Sequence, residues 1–288
     1  MKKIAIVTDS NSGMTQEEAD KLGVYVVPMP FIINDEIYYE GVNLDQEKFY
    51  EIQASGTRIT TSQPNINEIA ELWENLLKDH DEIVYIPMSS GLSGSCEKAA
   101  LFAQDFEGKV FVVDNKRISV SMKASVIDAV NMAKDGKTAK QIKQYLEETA
   151  LESSIYLMVD TLKYLKQGGR ITPAAAMIGT ILGIKPILQI QGGKIDSYAK
   201  IKNIKAAKQK MTEAIRKDLD DRFRTLVENG KMRMSVAHTQ NEANALLFAE
   251  ELKKEFPNIP FEFIDPLSLS IATHTGPKVL AVLVYSVY

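Results

Sequence analysis

The chain has 288 residues, more than one ordinary domain, so two domains are predicted. With 45% hydrophobic and 25% charged residues it has apolar material for a core in each. A net charge of −4 gives no electrostatic footprint for nucleic acid, and a single cysteine, Cys96, excludes an internal disulfide and suits a reducing compartment.

From Met1 to Val7 the apolar run is too short for a secretory leader, so a cytoplasmic protein is expected. The longest apolar stretches, residues 174–184 and 279–288, fall short of the roughly 20 residues that span a bilayer. Residues 4–8 read as a strand that stops at the turn cluster from Asp9 to Gly13. Thr15-Gln16-Glu17-Glu18 then has capping-box form and opens a helix. Residues 25–39, with Pro28, Pro30 and Asn34-Asp35, predict an antiparallel excursion with a turn. Segments 82–88, 110–114 and 154–159 repeat the buried-strand pattern, and 66–77, 94–104, 121–134 and 139–150 read as helices. This alternation predicts an α/β fold whose N-terminal domain is a mainly parallel sheet with helices on both faces.

The rhythm ends near Asp160, so the domains are expected at 1–160 and 161–288. In the second, 185–191 and 194–199 flank Gly192-Gly193, a hairpin signal. A long helix from Lys202 to Asn229, strand 233–238, helix 242–256, strand 261–265, a polar loop and strand 279–285 follow. This predicts a C-terminal α/β domain with a mixed sheet.

Ligands of a parallel sheet bind beyond the carboxyl ends of its strands. Three hydroxyl-rich loops fall there: Thr8-Asp9-Ser10, Thr60-Thr61-Ser62-Gln63-Pro64, and Ser89-Ser90-Gly91-Leu92-Ser93-Gly94-Ser95. Each loop alone reads as a helix cap. Two such loops with a glycine-rich turn favour a small anion, held by hydroxyls and helix N-termini. Arg170, after Gly168-Gly169, caps a helix or meets an anion. His274, in Ala272-Thr273-His274-Thr275-Gly276-Pro277, has the most site-like setting of the three histidines. Residues 174–184 are apolar nearly all round, as a core segment or as contact for an apolar ligand. Lys200, Lys202, Lys205, Lys208 and Lys210 form a basic run that is a solvated face or docks an acidic partner or lipid headgroups. No phosphate loop, dinucleotide fingerprint or metal-ligand spacing is present, so neither metal nor cofactor is expected. Gly91-Leu92-Ser93-Gly94-Ser95 departs from a Gly-x-Ser-x-Gly elbow only at Ser95, so a serine esterase using Ser93, His274 and Asp265 is the enzymatic alternative.

Together, Thr8-Asp9-Ser10, Thr61-Ser62-Gln63-Pro64, Ser89-Ser90-Gly91-Leu92-Ser93-Gly94, the run from Leu162 to Ile171, Ile184-Lys185-Pro186-Ile187-Leu188 and His274-Thr275-Gly276-Pro277 resemble the DegV family. They occur in the family's order and cover almost the whole chain. The resemblance implies a two-domain fatty-acid-binding protein, without catalytic residues of its own. Some members are the FakB-like subunit of bacterial fatty acid kinase, and a FakA-type kinase subunit phosphorylates the carried fatty acid for phospholipid synthesis. Partners expected on this resemblance are a long-chain fatty acid, such a kinase and, transiently, a membrane surface. By the same resemblance Thr61, Ser93 and Gly94 hold the carboxylate and His274 lies near it. Arg170 lies near the pocket mouth, where it serves the partner. The acyl chain would run between the domains, touching Met177, Ile178 and Ile181. The family commonly has glycine where this chain has Lys278, and Asn115 and Val120-Ser121 also depart from its pattern.

Overall fold

A computed structural model describes residues 2–177 and 184–288, which divide into two compact units. The first holds residues 1–150 with Ser268–Ser270 and Tyr288; the second holds Leu151–Leu267 and Ile271–Val287.

In the first unit the elements are β1 (Ile4–Asp9), α1 (Gln16–Leu22), β2 (Val24–Val27), β3 (Pro30–Ile33), β4 (Glu36–Tyr39), α2 (Gln46–Ala54), β5 (Ile59–Thr61) and α3 (Ile66–Leu76). Then come β6 (Glu82–Ile86), α4 (Ser95–Phe102), β7 (Val110–Val112), α5 (Val120–Lys134) and α6 (Ala139–Glu148). Four strands form a wholly parallel sheet in the order β2-β1-β6-β7. Side chains alternate across it, as strand geometry requires. Ile6, Val84 and Ile86 pack with α5 and α6 residues such as Val126, Ile142 and Leu146. Ala5, Val7, Ile83 and Tyr85 pack on the opposite face with Ile69 and Trp73 of α3 and Cys96 and Ala99 of α4. Helices thus cover both faces. Thr15 caps α1 through the full reciprocal capping box read from the sequence.

The excursion at 25–39 is partly as expected. β3 and β4 pair antiparallel across Asn34 and Asp35, both at positive φ, the requirement of a type I′ turn. β5 adds to β3 to complete a three-stranded sheet, whereas β2 joins the parallel sheet instead.

The second unit contains β8 (Ser153–Met158), α7 (Lys163–Gly168), α8 (Pro173–Ala176), β9 (Lys185–Ile190), β10 (Asp196–Ile201), α9 (Ile204–Asp221) and α10 (Arg224–Glu228). It continues with β11 (Met232–His238), α11 (Glu242–Glu255), β12 (Phe261–Pro266), α12 (Leu269–Thr275, whose first two residues group with the first unit) and β13 (Leu280–Ser286). Its six-stranded mixed sheet runs β10-β9-β8-β13-β11-β12, antiparallel except for the parallel β11–β12 pair. Met211 and Ile215 of α9 and Phe248 and Leu252 of α11 bury one face against Met158, Val236 and Val282.

Three expectations change. The break falls at Ala150/Leu151, ahead of Asp160, because β8 pairs with β13 and β9 and so opens the second sheet. The helix expected over 202–229 is interrupted: the N–H groups of Arg222 and Phe223 both bond the Asp218 carbonyl, and Phe223 turns into the core. The polar loop after β12 contains α12, a short helix whose apolar Leu269 and Ala272 are fully buried.

Lys278 adopts φ 62°, the left-handed region that glycine enters without cost. Its backbone is held there: its N–H donates to the Thr239 carbonyl at 2.8 Å, and its own carbonyl accepts from Asn241 at 3.3 Å. The strain of a left-handed non-glycine residue is roughly 1–2 kcal/mol, and glycine's greater unfolded-state freedom returns about 0.5–1 of it. Lys278→Gly is expected to stabilise the protein by roughly 0.5–1 kcal/mol, a rise in Tm of about 1–3 °C by calorimetry. An unchanged or lower Tm would show that the lysine side chain compensates for its backbone.

Candidate functional site

In the first unit two of the three hydroxyl loops, after β1 and β6, lie beyond carboxyl ends of the parallel sheet as expected, whereas residues 60–64 follow β5 of the antiparallel sheet; a buried carboxylate organises the first two. Asp9 ends β1 with no exposure. One of its oxygens accepts the Met88 N–H at 2.8 Å, and the other accepts the backbone N–H and side-chain amide of Asn11 at 2.9 and 2.8 Å. Burial pushes its carboxyl up from the usual range, and these three donors pull it back. Thr8 donates to the Ile86 carbonyl, and Ser10 accepts the Met29 N–H. The first loop therefore braces the sheet ends, and its side chains are committed to that task.

The loop after β6 is fixed in turn. The Ser89 N–H reaches the Arg117 carbonyl, and Ser90 gives its N–H and hydroxyl to Asp114, which also pairs with Lys116. Ser93, half-buried, donates to the Ser95 hydroxyl at 3.1 Å and accepts the Ser95 N–H at 3.2 Å, so it stands at the entry of α4. Gly94 is the N-cap residue and makes no side-chain cap. A Cβ there would lie 2.9 Å from the Gln63 amide nitrogen, so the glycine is what admits Gln63. Thr61, also half-buried, ends β5 opposite Phe31. Gln63 is the neighbour the sequence did not single out. Only the need for glycine at 94 hints at it.

In the second unit Arg170, Gly168 and His274 are packed together. α7 ends at Gly168, with Gly169 in the left-handed region at φ 68°, and Arg170 donates back to the Gly168 carbonyl. A side chain at Gly168 would overlap the His274 imidazole, and one at Gly276 would overlap the Tyr164 ring. Gly168 and Gly276 are thus explained by close approach, and Gly169 by its left-handed backbone. Burial and the Arg170 charge lower the His274 pKa to about 4. At neutral pH the ring is uncharged and offers one N–H donor and one acceptor. Met177 is 81% exposed. Ile178 and Ile181 lie outside the described residues.

The esterase arrangement gains nothing from this geometry. A nucleophile elbow places its serine directly on the strand-to-helix turn, whereas Ser93 comes seven residues after Ile86, the last residue of β6. A triad carboxylate raises its histidine, and His274 is lowered. Asp265 instead acts on His238, where its charge opposes the lowering by burial. Cys96 is a buried packing residue whose thiol burial pushes up to about 12. Within the lysine run, Lys208 pairs with Glu251 at 3.1 Å and Lys210 with Glu213 at 3.2 Å, so part of its charge is already answered. Among the described residues no group of metal-ligating side chains occurs, and no helix is long and apolar enough to cross a membrane.

The chain is a two-unit α/β protein with hydroxyl loops beyond the ends of β1 and β6, the position at which parallel sheets generally bind ligands. Residues 3–287 match the model of a family described as "Uncharacterised protein, DegV family", and the chain belongs to the DegV family. A DegV domain-containing protein of Deinococcus radiodurans is 35% identical over 215 residues, 74% of this chain and 76% of that one. The fold is similar to that of a DegV family protein from Thermus thermophilus described as fatty acid binding, with a TM-score of 0.86, 28% identity and coverage of 99% of this chain and 100% of that one. DegV of Bacillus subtilis, described as a fatty acid binding protein, matches with a TM-score of 0.85 and 30% identity over 99% of this chain and 100% of that one.

The lowered histidine gives a pH prediction with a definite sign. Between pH 6.5, the ordinary value, and about 4, the unfolded chain takes a proton that folded His274 refuses. The contribution of His274 to stability is therefore complete above pH 6.5 and lost as pH falls toward 4. Nitrogen-detected NMR should find this imidazole neutral at pH 5.5. Protonation near 6.5 would mean that neither burial nor Arg170 governs it.

Proposed function

We propose that the chain binds a long-chain fatty acid without transforming it and presents the carboxylate to a kinase partner that forms the acyl phosphate. The observation that carries the first part is the similarity, over 99% of the chain, to two structures described as fatty acid binding. The braced hydroxyl loop supports it: Ser93 is half-buried at the start of α4, whose N-terminus accommodates an anion, and Thr61 is a half-buried hydroxyl at the end of β5. His274, neutral and half-buried, is assigned to the same headgroup on the family resemblance. Met177, apolar and exposed, is an acyl-chain contact in this reading, with Ile178 and Ile181. The kinase partner and the role of Arg170 in handing over the lipid rest on the resemblance too, as does action in the cytoplasm without a cofactor.

Native mass spectrometry of protein purified from cells should find one retained fatty acid. Thr61→Ala and Ser93→Ala should each weaken fatty-acid binding about tenfold to a hundredfold, the loss of one hydrogen bond to a charged group, with the fold intact by circular dichroism. Unchanged affinity in both variants would place the carboxylate elsewhere. Arg170→Ala should hold fatty-acid affinity within a few-fold and sharply lower acyl-phosphate formation with a cognate kinase. Equal loss of both would make Arg170 part of the lipid clamp.

A further inference from the structure

Three buried residues late in the chain, Ser268, Leu269 and Ser270, group with the first unit. Leu269 opens α12, whose last turn carries His274. The Leu269 N–H donates to Glu40 Oε2 at 2.9 Å. Glu40 itself is held in a fixed place. It follows β4 in a closed loop whose Tyr39 carbonyl accepts the N–H groups of Val42, Asn43 and Leu44, each at 3.2 Å. The Tyr39 N–H donates to Asn43 Oδ1 at 2.7 Å, and Leu44 is buried beneath the loop.

No cation answers this half-buried carboxylate. Burial pushes its carboxyl up to about 7, and the Leu269 N–H is the influence that draws it down. The nearest acidic residues along its own stretch are Glu36 and Asp45, and His274 is the ionisable residue of α12; none of the three contributes to its titration. Ionisation strengthens the bond to the Leu269 N–H, yet the carboxyl has moved up rather than down, so desolvation outweighs that bond. A carboxyl that keeps its proton where it is covered and sheds it where it meets water links covering to pH. From the ordinary value of 4.5 to about 7, the covered group is protonated and an uncovered one is not. The cover is therefore firmest at low pH, weakens through this window, and changes no further above it.

We propose that Glu40 is a positioning residue whose proton latches the start of α12: neutral, it stays beneath Ser268–Ser270, and ionised, it draws toward water and loosens that step. α12 has seven residues, so a looser start reaches His274 within two turns. A bound carboxylate then leaves faster as pH rises, a consequence that rests on the fatty-acid reading.

Hydrogen exchange of the lipid-free protein, read by mass spectrometry on peptides covering residues 266–275 and divided by the intrinsic rate at each pH, tests the latch. The opening constant should rise about tenfold per pH unit between about pH 5 and 7 and level off above that. Glu40→Gln is neutral at every pH and still accepts the Leu269 N–H. It should show no slope and stay near the parent's value at about pH 5. Release of cis-parinaric acid in stopped flow should accelerate over the same range in the parent and not in Glu40→Gln. The latch is overturned if the parent opens equally at both ends of the range, or if Glu40→Gln keeps the slope. An exchange slope with flat release overturns the link to His274. A protein that shows the slope but binds no fatty acid refutes the proposed function and leaves the latch standing.

Discussion

Asp9 takes N–H groups from Met88 and Asn11 at the buried end of β1, and the geometry of the first unit's site follows from that contact. Burying an ionised carboxylate costs several kcal/mol, and three well-placed donors offset it. The bond to Met88 clamps the C-terminal end of β6 beside that of β1. The next two residues are tied as well, Ser89 to the Arg117 carbonyl and Ser90 to Asp114. Only after these anchors does the chain reach Ser93 and Ser95, whose hydroxyls lean on each other at the mouth of α4. The loop is held by the protein's own hydrogen bonds, so a ligand at the proposed site would spend little on ordering it.

The second unit solves a similar problem by close approach. Gly168 and Gly276 lack a side chain where His274 and Tyr164 come nearest, so the two segments lock by shape. The lock holds His274 half-buried near a guanidinium that is always charged, and both influences keep the ring neutral. A neutral imidazole beside an arginine offers hydrogen bonding from one group and charge from the other.

Much of this was legible in the sequence. Alternating apolar segments announced the parallel sheet, and the capping box of α1 and the Asn34-Asp35 turn formed as written. What failed was non-local. Ser153–Met158 looks like one more strand of the first sheet, and only its pairing with β13, more than a hundred residues later, assigns it to the second. α12 was hidden because its serines and threonines resemble a loop, and burial of Leu269 and Ala272 decided the matter. Thr8-Asp9-Ser10 was read as ligand-facing, yet its polarity is consumed inside the protein. Gln63 escaped because a glutamine's role depends on what lies opposite it. Lys278 shows the reverse case: the departure from glycine was visible, and the backbone retained the conformation that glycine would take.

For a fatty-acid carrier, the weakness of the headgroup contacts is itself functional. Some fifteen buried methylenes contribute on the order of 12 kcal/mol at 0.8 each, and the freedom lost on association takes back about 4–15. The chain thus supplies most of the gross affinity, and the head decides orientation and release. A clamp of several cations on the carboxylate would add tight binding where a carrier must let go. Neutral hydroxyls, as proposed for Thr61 and Ser93, hold a carboxylate in register at small cost. Arg170, held back by its own turn at Gly168, places a fixed positive charge near the His274 imidazole.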